Sequence, residues 1–180
     1  MTTDTRASLA HDVLLIAFLV ALGAIARIFP QDWNLMPVAA TALFAGRVLG
    51  RPVLAPIVPL AAMLISDRFL APGHLGVTLV VYTAFVLPAV VGMLSRRLTG
   101  TAVVAASMIG CSLAFFLSTN FAVWLWDGLY PLTAQGLADC YIAALPFLRN
   151  TVGGDLLWIG LLYAGLWLAQ HMPSAARRSV

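Results

Sequence analysis

Residues 75–95 read LGVTLVVYTAFVLPAVVGMLS, with no charged side chain between His74 and Arg96. A helix needs about 20 predominantly apolar residues to cross the hydrocarbon core of a bilayer, and this stretch supplies them. Working outward, Ser66-Asp67-Arg68 and Pro72-Gly73-His74 bound it on one side, and Arg96-Arg97 through Gly100 on the other. Beyond Gly100 a second apolar run covers 101–119, and a third covers 151–171. Towards the N-terminus lie runs at 12–29, 37–50 and 52–66. The last two are short for a perpendicular crossing and are divided by Arg47, Gly50, Arg51 and Pro52, a turn signal. Pro56 and Pro59 predict a kink in the third run. Irregular backbone at membrane depth is tolerated where protein or a wet cavity surrounds it, so a cavity is expected near these segments.

The whole chain agrees with this reading. Its 180 residues are 62% hydrophobic and 9% charged, with mean hydropathy +0.96. Soluble domains are about half apolar and about a quarter charged, so a soluble enzyme and a disordered chain are both excluded. Six spans joined by short loops use nearly all of the chain, giving an all-α polytopic membrane protein with a single integral domain over 1–180. Any ATPase must come from another chain. Ala24-Ile25-Ala26 resembles a signal-peptidase site, but the region before it is barely basic and the apolar run continues past it. The segment therefore reads as the first span.

All ten basic residues are Arg and all seven acids are Asp. With the N-terminus in the cytoplasm, Arg6, Arg47, Arg51, Arg96, Arg97, Arg177 and Arg178 lie inside, against Arg27, Arg68 and Arg149 outside. That distribution satisfies the positive-inside rule and predicts that both termini are cytoplasmic. The Arg residues are scattered, so the formal charge of +3 is no nucleic-acid signature. Cys111 and Cys140 form no disulfide framework.

Most remaining polarity falls on the predicted outer face, in Gln31-Asp32-Trp33-Asn34, in Asp67-Arg68 with His74, and in a long segment from Asn120 to Asn150. The long segment reads as a structured loop with one or two short interfacial or re-entrant helices, because long loops in compact proteins are usually functional. The candidate substrate-binding residues are Trp33, Asn34, Asp67, Arg68, His74, Asn120, Trp124, Tyr130, Asp139, Tyr141, Arg149, Asn150 and Asp155. Each aromatic among them also suits an interfacial belt. Asp155 lies about one turn into the last run, where a carboxylate is costly unless paired or facing water; Arg149 or Arg68 is the expected partner. The small-xxx-small pairs Ala17/Ala21 and Ala42/Gly46 allow close helix approach, either within the chain or as a docking face for another subunit. His74 and Cys140 are too few and too scattered to make a metal site. No catalytic, phosphate-binding or cofactor motif is present, so neither enzyme activity nor a cofactor is expected.

Several phrases carry a family resemblance: Asn34-Leu35-Met36-Pro37-Val38-Ala39-Ala40, Val58-Pro59-Leu60-Ala61-Ala62-Met63-Leu64-Ile65-Ser66-Asp67, Phe115-Phe116-Leu117-Ser118-Thr119-Asn120-Phe121-Ala122-Val123-Trp124 and Tyr130-Pro131-Leu132-Thr133. With Gly136-Leu137, Cys140-Tyr141, Pro146-Phe147 and Asn150-Thr151 they resemble an uncharacterised bacterial family described as membrane transport proteins. The six-span layout with elaborate outer loops is similar to the S component of energy-coupling-factor vitamin transporters. That resemblance implies capture of a small nutrient from outside, and docking, through a face like that of Ala17 and Ala21, on a membrane coupling subunit served by two ATPases. The expected partners are thus the bilayer, a small-molecule ligand and such a coupling subunit, with no nucleic acid. An accessory or assembly protein whose outer loop binds another protein is the alternative.

Overall fold

The computed structural model describes residues 3–29 and 35–171, with side chains from Leu9 onward. These residues form six α-helices: α1 (Thr3–Ile28), α2 (Val38–Val48), α3 (Ile57–Ser66), α4 (Leu75–Ser95), α5 (Thr101–Trp126) and α6 (Ala134–His171). A single 3-10 turn, Pro52–Leu54, joins α2 to α3, and no strand occurs among the described residues. Four helices, α1, α4, α5 and α6, are long and apolar enough to cross a membrane.

The short α2 is the centre of the bundle. Every residue from Val38 to Gly46 is buried, as expected of a helix that is apolar all round. α4 and α6 pack on it from two sides, α1 and α3 lie alongside, and α5 bridges α4 and α6. Small residues set this arrangement. A Cβ on Gly46 would sit 2.8 Å from Met93 N and closer still to the Ala89 carbonyl, and one on Gly92 would strike the Leu43 carbonyl. The backbones of α2 and α4 therefore touch. Ala42 and Gly46 are used inside the molecule, whereas Ala17 and Ala21 stand exposed on α1.

Polar ties mark two levels of the bundle. At one, the Asp12 carboxylate, 1% exposed, accepts the Gly50 and Arg51 N–H groups at 2.9 and 3.0 Å. At the same end, Arg47 donates to the Tyr163 hydroxyl (3.0 Å), to the Ser95 carbonyl and hydroxyl (2.7 and 2.8 Å), and to the Leu98 carbonyl (2.7 Å). At the other level, Arg27 pairs with Asp67 at 2.9 Å. Asp12 and Arg27 lie fifteen residues apart on α1, about 22 Å at 1.5 Å per residue.

Three sequence expectations are corrected. The prolines of the third apolar run kink no helix: Pro52 opens the 3-10 turn, Pro56 is the N-cap of α3 and Pro59 lies in its first turn, where proline costs little. The second run forms α2, within two residues of its bounds at each end. The segment 120–150 is not a loop: α5 continues to Trp126, α6 starts at Ala134, and only 127–133 turns between them, through Gly128 at φ +73°. Asn120 ends no helix because its amide donates to the Phe116 carbonyl one turn back, at 2.8 Å, and Ser118 and Thr119 bond the Ala114 and Phe115 carbonyls in the same way. At about 57 Å, α6 is far longer than the hydrocarbon core requires.

Candidate functional site

The site is built around Asp155. Gly154 presses on the backbone of Leu35, where a Cβ would lie 3.1 Å from the Leu35 Cα. One turn on, Trp158 Nε1–H donates to the Leu35 carbonyl at 2.8 Å. With α6 fixed in this way, Asp155 is directed into the bundle and is 3% exposed. Ser112 Oγ on α5 donates to its Oδ2 at 2.6 Å and lies 2.9 Å from the Met108 carbonyl. The carboxylate borders a cavity of about 40 Å³ lined by Met36, Ala84, Phe85, Pro88, Cys111 and Thr151, among others. That space holds a few water-sized groups.

The cavity is mostly apolar, with the Asp155 carboxylate at its wall. Pro88 has no N–H, so the Ala84 carbonyl one turn earlier loses its helical donor. Both residues line the same cavity as the carboxylate. Among the described residues the ion pairs are at Asp12 and Asp67, so neither Arg149 nor Arg68 is the partner of Asp155; a neutral hydroxyl is. Asp155 precedes Tyr163, which meets Arg47, by eight residues on α6, about 12 Å. It therefore sits near the middle of the slab between the two polar levels.

A second, wider cleft of about 440 Å³ opens at the Arg27 level. Its wall carries the Arg27–Asp67 pair; Arg27 also donates to Ser66 Oγ at 3.0 Å and contacts Met63 Sδ. The Tyr82 hydroxyl donates to Asp67 at 2.7 Å. Val77 and Val81 of α4 line this cleft, and Ala84, Phe85 and Pro88 line the Asp155 cavity. At 100° per residue, Val77, Val81, Ala84 and Pro88 fall on one stripe of α4. The cleft and the cavity are thus consecutive along a single helix face.

A family model described as a family of unknown function, DUF6580, matches residues 7–176. The chain belongs to DUF6580. No curated protein matches it, and no solved structure does.

In this DUF6580 member the residues singled out from sequence do not meet in one pocket. Trp33 and Asn34 lie outside the described residues. Asp67 and Asp155 line the two spaces just described. Arg68 and Arg149 are exposed, and Tyr130 and Asn150 are half-buried. His74 is the N-cap of α4, its Nδ1 accepting the Gly76 N–H at 3.1 Å. It stacks on Trp126, with ring centroids 6.4 Å apart. The α5–α6 hairpin uses the others locally: Trp124 Nε1–H donates to the Pro131 carbonyl (3.0 Å), Tyr141 to the Leu117 carbonyl (2.6 Å) and Gln135 to Asp139 (2.9 Å). Cys140 contacts the Asn120 carbonyl at 3.5 Å, away from His74. Among the described residues no group of three or more His, Cys, Asp or Glu could hold a metal ion. Sequence reasoning missed Arg27, Tyr82 and Ser112. Each has an apolar neighbourhood in sequence, and only its long-range partner reveals it.

Proposed function

We propose that this DUF6580 protein is a multi-pass transport protein of the bacterial inner membrane, similar in role to an S component, that captures a small nutrient at its outer face. In this reading the Arg47 level is cytoplasmic and the Arg27 level external. The α2–α3 pair runs down to the cytoplasmic level and back to the external one, so that with the four long helices both termini remain inside. The basic side chains Arg47, Arg51, Arg96 and Arg97, gathered at one end, support that orientation.

The observation that carries the proposal is the α4 stripe from Val77 to Pro88. It lines a ligand-sized cleft at one end and, further in, a cavity with a carboxylate at mid-depth. A carboxylate at that depth without a cation is costly, and such residues are retained for what they bind or pass. The cleft takes the body of the nutrient. The small apolar cavity, with the Asp155 carboxylate at its wall, recognises a donor group of a few atoms, such as an amine. The exposed Ala17 and Ala21 on α1 supply the face for the coupling subunit that the S-component resemblance implies.

The test is native mass spectrometry of detergent-purified protein with a panel of vitamins and their amine-bearing precursors. A discrete adduct on wild type and on the control Gly110→Ala, whose Cβ meets nothing within 4 Å, lost in Asp155→Asn, is expected. An adduct that survives Asp155→Asn unchanged, or none across the panel, refutes the reading.

A further inference from the structure

At the Arg47 level a third space runs between the first turns of α5 and the second half of α6. α6 leans on α2 there, with the Tyr163 ring edge-on to Phe44 at 5.2 Å, and this leaves a groove of about 530 Å³ beside α5. Its walls are apolar: Val104, Ala105, Leu156, Ile159 and Gly160. Its end is polar and consists of Arg47, Tyr163, Thr99 and Thr101. No acidic side chain lines it.

The polar end has unspent donors. A guanidinium carries five N–H groups, and four of those on Arg47 are engaged by Tyr163, Ser95 and Leu98. One remains. The Tyr163 hydroxyl accepts from Arg47 Nε and keeps its own proton to donate. The two threonine hydroxyls stand at the mouth, and Arg96 and Arg97 lie in the adjoining turn, both exposed. A long apolar trough that ends in a cation and several donors is complementary to one chemistry, an acyl chain bearing an anionic headgroup.

We propose that this groove binds one anionic glycerophospholipid, with the phosphate at Arg47 and Tyr163 and an acyl chain along Val104, Ile159 and Gly160. The site goes beyond the solute-binding reading. It shares no residue with the Asp67 cleft or the Asp155 cavity, and only the membrane location is common to both, so either can fail alone.

Gly160 provides a clean variant, because a Cβ there meets nothing within 4 Å. Gly160→Leu starts from a Cβ with open space around it, projects an apolar side chain into the groove and improves helix propensity. The experiment delipidates the detergent-purified protein and measures retention of dioleoyl-phosphatidylglycerol against dioleoyl-phosphatidylcholine by native mass spectrometry. Wild type is expected to hold phosphatidylglycerol about ten-fold more tightly, the order of one charge-assisted hydrogen bond. Gly160→Leu should abolish retention of both lipids at unchanged helicity and thermal midpoint. Arg47→Gln should remove the preference between headgroups. Equal retention of the two lipids by wild type, or full retention by Gly160→Leu, overturns the proposal. So does equal occupancy by soluble glycerol 3-phosphate, which would make the site one for a free anion.

Discussion

Replacing Gly46 by Ala should destabilise this protein even though alanine is the better helix former. The built Cβ lies 2.8 Å from Met93 N and 3.0 Å from the Gly92 carbonyl carbon, both backbone atoms of α4. Ordinary contact begins near 3.4 Å and the Ala89 carbonyl oxygen is closer still, so α2 and α4 must separate by about 1 Å. A gap of that size forfeits about half of the dispersion well along the contact, and overpacking of well-packed cores costs about 1–3 kcal/mol. The gain in helix propensity, up to about 1 kcal/mol, offsets part of it. A net loss of about 1–2 kcal/mol remains, which for a chain of this size lowers the melting midpoint by about 2–8 °C. Gly153→Ala is the control. Its Cβ meets nothing within 4 Å, so only the propensity gain applies and the midpoint should hold or rise. Differential scanning fluorimetry of both variants in one detergent checks the pair. If Gly46→Ala melts at or above wild type, the α2–α4 backbone contact is not as described, and the placement of α2 at the centre falls with it.

Three other ties can be probed in the same way. Asp12→Ala leaves the Gly50 and Arg51 amides and the Arg51 guanidinium without their carboxylate, and denaturant unfolding should show a loss of about 2–4 kcal/mol; a change within 0.5 kcal/mol argues that the turn is held by something else. Tyr82→Phe removes one hydrogen bond to the partly exposed Asp67 and should cost about 1 kcal/mol while keeping the Arg27–Asp67 pair, so Asp67→Ala should be the more damaging of the two. Gly76→Leu places a side chain against the Trp126 indole, whose Cδ2 is 2.7 Å from the built Cβ. It should break the His74–Trp126 stack and shift the tryptophan emission, a shift absent from the Trp126→Phe background.

Local patterns carried the long helices. The uncharged run 75–95 became α4 with the same bounds, and the basic turn 96–100 ended it where expected. Polarity misled where side chains serve their own helix. Ser118, Thr119 and Asn120 looked like a helix end, but each bonds a carbonyl one turn back, so α5 passes through them. The aromatic and amide groups of 124–141 read as ligand contacts and instead close the α5–α6 turn. Asp155 was legible because carboxylates are rare in apolar runs, yet its partner was not. Ser112 is 43 residues away, and a hydroxyl in an apolar helix carries no local signal of what it meets. The same holds for Arg27, which stands 40 residues from Asp67; Arg68, expected to reach Asp155, is at the surface. The single α4 stripe that joins cleft and cavity emerged only once both were located, because periodicity alone does not say which face of an apolar helix is lined by protein.

The central claim is that an external cleft leads along α4 to the buried Asp155. Cysteine accessibility tests it directly, in intact cells, on a Cys111→Ala, Cys140→Ala background. Val77→Cys, Val81→Cys and Ala84→Cys should react from outside with a small cationic thiosulfonate, at rates falling in that order, because thiolates form only where water reaches. Leu87→Cys and Val90→Cys, which line neither the cleft nor the cavity on the same helix, should stay unlabelled. Uniform labelling of all five positions, or labelling of the stripe from the cytoplasmic side alone, would contradict the account.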